Sequence, residues 1–376
     1  MEIYRNIILP ASILSGTIIG AGMFSLPFVF KEVGLPTGLF YLLFFSSVYI
    51  FIYLLYADLI LRTEGEHRFV GYARMYLGNI GFWISLLIGL VQLFFVLTIY
   101  LILAPSFSGL FIGDDYIYQL LAFWLLGSLA ILFNTRRIAL LEFLIVAGIT
   151  AIIFSIFGFG LGGLSETFYS YWNKLDLSKF LVAGPILFAL SGALAVPELI
   201  AYFRESGAPA SFIKKSLIVG SVLPAVAYLA FVLGVLGLSG MVSEDAVSGL
   251  VSQVPVVVLV LSGILGFLSL ISSYIVVGLN ARRILEYDLL LPGWVSRASV
   301  IAIPIIFYLS GFQNFITAVT FVGSIFLPLE SIFIIFMWLK ADQLSGKPRV
   351  LVGNITRASI PVLLMVFFIV IIYFII

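Results

Sequence analysis

The chain contains no cysteine, which excludes disulfides, thiolate ligands and thiol nucleophiles. It has one histidine, His67, so no pair of imidazoles exists for a zinc site. Charge is scarce too: 10% of residues are Asp, Glu, Lys or Arg, against roughly 25% in a soluble domain. The charges nearly cancel, at +1 overall, and that balance implies no nucleic-acid partner. What remains is apolar, with 62% hydrophobic residues, 36 of them Phe, and a mean hydropathy of +1.23. This is the composition of an all-α polytopic membrane protein. With scattered acids and one loop histidine, no catalytic constellation is in sight, so an enzyme is not expected.

Apolar runs bounded by charges and turn residues predict eleven transmembrane helices. They lie at 7–30, 35–61, 81–111, 117–134, 138–163, 180–203, 214–238, 255–284, 295–311, 313–339 and 354–376. The first run has no small-residue cleavage site and outlasts a signal peptide, so it is read as a span. Orientation follows from Lys and Arg. With the N-terminus in the cytoplasm, 16 of the 19 fall inside: Arg5, Arg62, Arg68, Arg74, Arg136, Arg137, Arg204, Lys214, Lys215, Arg282, Arg283, Arg297, Lys340, Lys347, Arg349 and Arg357. Lys31, Lys174 and Lys179 fall outside, beside acids at Asp114, Asp115, Glu244 and Asp245. Eleven spans then leave Ile376 outside, in a multi-pass protein of the cell membrane. Between His67 and Leu77, the residues Phe69, Tyr72, Ala73 and Tyr76 share one helical face, which predicts a short interfacial helix. His67 opens it as a solvated loop residue without metal partners nearby.

Two spans are poor helices in their middles. In span one, Gly16-Thr17-Ile18-Ile19-Gly20-Ala21-Gly22 leads to Pro27. Glycine costs about 1 kcal/mol relative to alanine inside a helix, and proline removes a donor. Span six repeats the pattern, with Ser191-Gly192-Ala193 at mid-span and Pro185 and Pro197 on either side. Non-helical backbone at membrane depth is tolerated only where protein or a watery cavity covers it. Both are therefore read as broken helices lining a site; the alternative is close helix packing on small residues. Spans 7–163 and 180–339 form two five-span blocks of similar length, each opening on a broken helix. Because five is odd, the second block enters from the opposite face. A single transporter domain, 1–376, built as an inverted 5+5 repeat with 354–376 as an added helix, is the expectation.

The stretch Gly16 to Pro27 resembles the first-helix signature of the hydroxy and aromatic amino acid permeases, and of the wider amino acid/auxin permease family. Phe188-Ala189-Leu190-Ser191-Gly192 with Pro197 is similar to their sixth helix. Pro224 to Gly240 and Ser272-Ser273-Tyr274 also resemble them. Both families belong to the amino acid–polyamine–organocation superfamily, which implies a leucine-transporter-like fold. It also implies cation-coupled uptake of a neutral or aromatic amino acid, with no cofactor beyond the coupling ion.

An amino acid zwitterion needs donors for its carboxylate and acceptors for its ammonium. Freed N–H groups at Gly20, Ala21 and Gly22 begin a half-helix whose partial positive charge suits a carboxylate. Freed carbonyls from Thr17 to Ile19, and from Phe188 to Ser191 beside Gly192, suit an ammonium or a metal ion. By resemblance Phe188 is an aromatic gate or, equally, a packing residue. Gln92, Phe95 and Tyr100 of span three are weaker candidates. Ser269, Ser272 and Ser273 share one face of span eight. By resemblance, the carbonyls of Gly16, Ile19 and Ser269 with the hydroxyls of Ser272 and Ser273 would hold sodium; ordinary serine packing is the alternative. Some proton-coupled relatives carry a lysine in span five; this span has none, which favours sodium. Four acids fall within spans. Asp58 pairs with Arg62 at i+4, Glu142 snorkels near Arg137, and Glu198 and Glu330 are the proton-coupling candidates. A channel would instead need a carbonyl filter or a ring of charge.

Overall fold

The computed structural model describes residues 3–65, 67–113, 115–132, 139–172, 176, 178–209, 211–238, 242–344, 346, 348–353 and 356–376. Expectations placed on Asp114, Arg136, Arg137, Lys174 and Lys347, and on the side chain of Glu142, fall outside the described residues. The face carrying the N-terminus is called inner below.

The described residues of the apolar spans are helical except where spans one and six break. Span one is α1 (Leu9–Ile18) and α2 (Leu26–Val33), joined by a 3-10 turn at Ala21–Ser25. The two halves of this span bend by 54°. Then come α3 (Leu35–Arg62), α4 (Phe69–Ile112), α5 (Tyr116–Leu132), α6 (Ala139–Gly160) and α7 (Leu164–Trp172). Span six is α8 (Ala183–Leu190) and α9 (Val196–Ser206), again joined through a 3-10 turn, Ala193–Ala195. The chain continues with α10 (Ser211–Leu238), α11 (Val256–Arg283), α12 (Gly293–Leu309), α13 (Phe315–Phe321), α14 (Leu327–Leu344) and α15 (Thr356–Ile375).

Among the described residues, eight helices are long and apolar enough to cross a bilayer, and the bent pair makes a ninth. The predicted spans 117–134 and 295–311 correspond to α5 and α12, of 17 residues each. That is the lower end of the length a spanning helix needs, so length alone does not bring the count to eleven.

The predicted interfacial helix is present but is not separate. It is the start of α4, set off at Gly78, whose φ of 72° breaks the helix where only glycine is unstrained. Its apolar face turns toward protein: Phe69, Tyr72 and Ala73 are buried, and the Tyr76 hydroxyl meets that of Thr63 at 2.7 Å.

Helices approach closely where small residues meet. Gly160 lies against Gly234 and Gly163 against Gly237, so α6 and α10 touch backbone to backbone. Gly220 lets α10 press on Ala11 and Leu14 of α1. The inner ends are tied by polar contacts. Tyr202 donates to the Arg5 carbonyl at 2.8 Å, and Arg204 reaches the Ile60 carbonyl at 3.0 Å. Asp58 does more than pair with Arg62, which lies 3.5 Å away. Fully buried, it accepts from Trp338 Nε1 at 2.9 Å and from the N–H groups of Val350 and Leu351 at 2.7 and 3.0 Å. Arg62 is closer to Asp342, at 3.0 Å, which Arg349 and Arg357 also hold. The segment after α14 is thereby pinned to the inner end of α3.

Candidate functional site

The two breaks meet. In span one the helix ends at Ile18, Ile19 turns to ψ 95°, and Gly20 is extended at φ −151°, ψ −159°. In span six Ser191 has ψ 128° and Gly192 has φ −153°. No side chain caps the 3-10 turn after either break. The leading N–H groups of such a turn have no intrahelical partner, so each restart offers donors.

The glycines differ in what surrounds them. A side chain on Gly22 would meet the Ala189 Cα at 2.6 Å and the Phe188 ring at 2.9 Å. One on Gly192 would meet Ile18 Cγ1 at 2.5 Å. These two glycines let the broken helices touch. Beside Gly20 the nearest such atom is 3.9 Å away, and beside Gly16 none lies within 4 Å. Thr17 is exposed, while the half-span from Ala21 to Pro27 is buried. Open space thus adjoins Gly16, Thr17 and Gly20, while Ile18 and Ile19 between them are buried. The small-residue packing and the opened backbone, posed as alternatives, are both present at neighbouring positions.

The freed carbonyls are partly taken. The Tyr53 hydroxyl of α3 donates to the Leu190 carbonyl at 2.7 Å. The Tyr228 hydroxyl of α10 lies 2.5 Å from the Ile18 carbonyl and 2.9 Å from that of Ala189. Ser191 Oγ turns back to the Phe188 carbonyl at 3.0 Å, and Thr17 Oγ1 to that of Ile13 at 3.1 Å. Sequence reasoning named the carbonyls and missed the tyrosines that hold them. A buried Tyr hydroxyl needs a partner, which was the available signal. Among 18 tyrosines it did not single out these two.

Phe188 is buried against Gly22. Beyond it, toward the outer face, Met23, Phe24, Phe107, Ile153 and Phe231 line an apolar cavity of about 20 Å³. That volume holds about one water molecule and no amino-acid side chain.

The serines of α11 stand apart from span one. The main neighbours of α11 are α4, α6 and α5, whereas α1 packs on α10 and α9. Ser272 Oγ is buried without a hydrogen-bond partner, Ser273 lies by the Tyr100 hydroxyl, and Ser269 is half-buried. Gln92, from the same span as Tyr100, donates to Glu330 at 3.4 Å. Phe95 packs instead among Phe307, Phe312 and Phe321. Glu330 is buried; Gln92 Oε1 and the Tyr49 hydroxyl beside it have no partner. Glu198 is different: its side chain is 63% exposed, 3.8 Å from Arg68 at the inner face. Among the described residues no group of three or more His, Asp or Glu side chains gathers as a metal site.

The family model described as the tryptophan/tyrosine permease family matches residues 4–375. The chain belongs to the tryptophan/tyrosine permease family. It is thus an amino acid permease by family and not an enzyme. It is 26% identical over 238 residues to glutamine transporter 2 of Aliivibrio fischeri (strain ATCC 700601 / ES114), a match covering 60% of each protein. In fold it is similar to MhsT in complex with L-phenylalanine, at a TM-score of 0.65 and 14% identity over 97% of this chain and 98% of that one. It is also similar to the manganese transporter of Eremococcus coleocola, with a TM-score of 0.59 and 15% identity over 96% and 84%. These likenesses place the permease in the fold class that the two broken helices suggested.

Proposed function

We propose that this permease is a secondary carrier that imports a neutral or aromatic amino acid, bound between the two breaks, together with a cation. The observation that carries the reading is the end of α1 at Ile18, with open space beside Gly16 and Gly20, next to an uncapped turn at Ala21. The N–H groups at Gly20, Ala21 and Gly22 receive the carboxylate. The Gly16 and Thr17 carbonyls, which Tyr228 does not occupy, face the ammonium. With no lysine or arginine at that depth, backbone does the recognition. The apolar walls at Met23, Phe24 and Phe107 suit an uncharged side chain once the cavity widens. The two five-span blocks move against each other about this site, with the N-terminus cytoplasmic and the C-terminus outside the cell membrane.

The coupling ion in this reading is sodium, held by the carbonyls of Gly16, Ile19 and Ser269 with the hydroxyls of Ser272 and Ser273. The unpartnered Ser272 hydroxyl supports it. Span one must close onto α11 to complete that set, which ties ion binding to the conformational change. A second reading, proton coupling through Glu330, is favoured by the partnerless Gln92 Oε1 and Tyr49 hydroxyl around that carboxyl. Glu198, exposed and beside Arg68, is the less suited of the two acids.

Imposed gradients in proteoliposomes separate the readings. Sodium coupling predicts uptake driven by an inward sodium gradient at equal pH, lost in S272A/S273A and kept in E330Q. Uptake driven by outside acid without sodium, and lost in E330Q, would replace sodium with the proton.

A further inference from the structure

Among the contacts that join the broken helices to each other, three kinds stand at the breaks themselves. Gly22 lies against Ala189, Ile18 lies against Gly192, and one hydroxyl, that of Tyr228, stands between the Ile18 and Ala189 carbonyls. The first two are apolar and can slide. The third is directional. Tyr228 is completely buried, and its helix α10 is neither of the broken ones.

A hydroxyl carries one proton, so it donates to one carbonyl at a time. The shorter contact, 2.5 Å, is to Ile18 of span one; the longer, 2.9 Å, is to Ala189 of span six. Both oxygens are lone-pair donors converging on one point, and without the hydroxyl they would repel across the gap. We propose that Tyr228 is a positioning residue, a clasp whose single proton holds the two breaks at a common point and passes between them as span one moves. When α1 swings away from α8, the hydroxyl turns to Ala189 and the Ile18 carbonyl is released toward the substrate space. When α1 returns, the bond to Ile18 re-forms. Span six keeps a second, fixed anchor through Tyr53 at Leu190, so span one is the half that moves.

The proposal rests on the breaks being the substrate site, and its test is built to keep the two apart. Three phenylalanine variants are compared in proteoliposomes. Y228F removes the shared hydroxyl. Y53F removes a hydroxyl that serves one carbonyl. Y274F removes a buried hydroxyl of α11 that stands beside Ser128 of α5. The expected result is a KM for the transported amino acid raised about tenfold in Y228F, the worth of one buried hydrogen bond. Y53F shifts KM less, and Y274F not at all. Y228F inserts as well as Y274F, with a lower thermal midpoint because two buried carbonyls lose their donor. A purely structural tyrosine would lower the amount of folded protein and leave KM alone. Y228F with the KM of the parent protein, or inserting poorly where Y274F inserts well, overturns the proposal. Gly20→Leu run alongside reports on the underlying reading. If G20L transports normally, the breaks are not the substrate site; if G20L is inactive and Y228F is unchanged, only the clasp fails.

Discussion

The break in span one and the break in span six share a sequence pattern and differ in their surroundings. Around Ser191 and Gly192 the carbonyls of the preceding turn are taken and little space is left: Tyr53 and Tyr228 lie on those of Leu190 and Ala189, Ser191 bonds its own helix, and Gly192 is buried under Ile18. Around Gly16, Thr17 and Gly20 space is left open and one carbonyl, that of Ile18, is held. Opened backbone in a membrane must be satisfied by protein, water or ligand. The sealed break has protein for this purpose. The open break leaves the role to a ligand. In the proposed reading span six is the fixed wall of the site and span one the mobile one.

The largest effect that sharpens this contrast is expected at Gly20. Gly20→Leu fills open space, so the protein inserts and folds while uptake drops to background; Gly20→Ala folds equally well. Uptake and detergent-solubilised thermal midpoints, measured together, check both halves of the statement. Gly22→Ala should behave in the opposite way. Its Cβ meets backbone of span six, and overpacking of this kind costs about 1–3 kcal/mol. A lowered thermal midpoint is the expected result. Equal midpoints for the two alanine variants would erase the distinction between the open and the packed glycine.

A smaller effect concerns the outer loop between α10 and α11. Asp245 accepts from the hydroxyls of Ser243 and Ser248 and from the N–H groups of Val247 and Ser248. Burial on its own would raise this carboxyl, but these bonds, with Ser106 of α4, outweigh it and hold it below the ordinary carboxylate range. Its stabilisation of the loop is therefore complete above about pH 4 and fades as pH falls through the lowered folded value. Hydrogen-exchange protection of the 242–250 amides, taken relative to their intrinsic exchange rates, should fall at acidic pH in the parent protein. In Asp245→Asn the protection should be lower throughout and lose that dependence.

Much of the architecture was legible in the sequence because lipid imposes length and apolarity on every span. The two breaks were legible because glycine clusters and proline are costly inside helices. What separates Gly20 from Gly22 was not, since it depends on Ala189, which the chain reaches more than 160 residues later. The roles of Tyr53 and Tyr228 were hidden for the same reason. Asp58 shows the limit from the other side. Its local pair with Arg62 could be read from i,i+4 spacing, but its strongest partners lie at Trp338, Val350 and Leu351. Glu198 and Glu330 looked alike as acids following a proline, and their burial sets them apart: one is exposed beside Arg68, the other enclosed beside Gln92.

The central claim is that the open break in span one is where a carried amino acid binds. Counterflow tests it most directly: proteoliposomes loaded with unlabelled amino acid take up the labelled form from outside, with tryptophan, tyrosine, phenylalanine and glutamine as probes. The account predicts that at least one probe accumulates transiently in the parent protein and that none does in Gly20→Leu. Flux of every probe that only runs down its own gradient, or full exchange in Gly20→Leu, would contradict it.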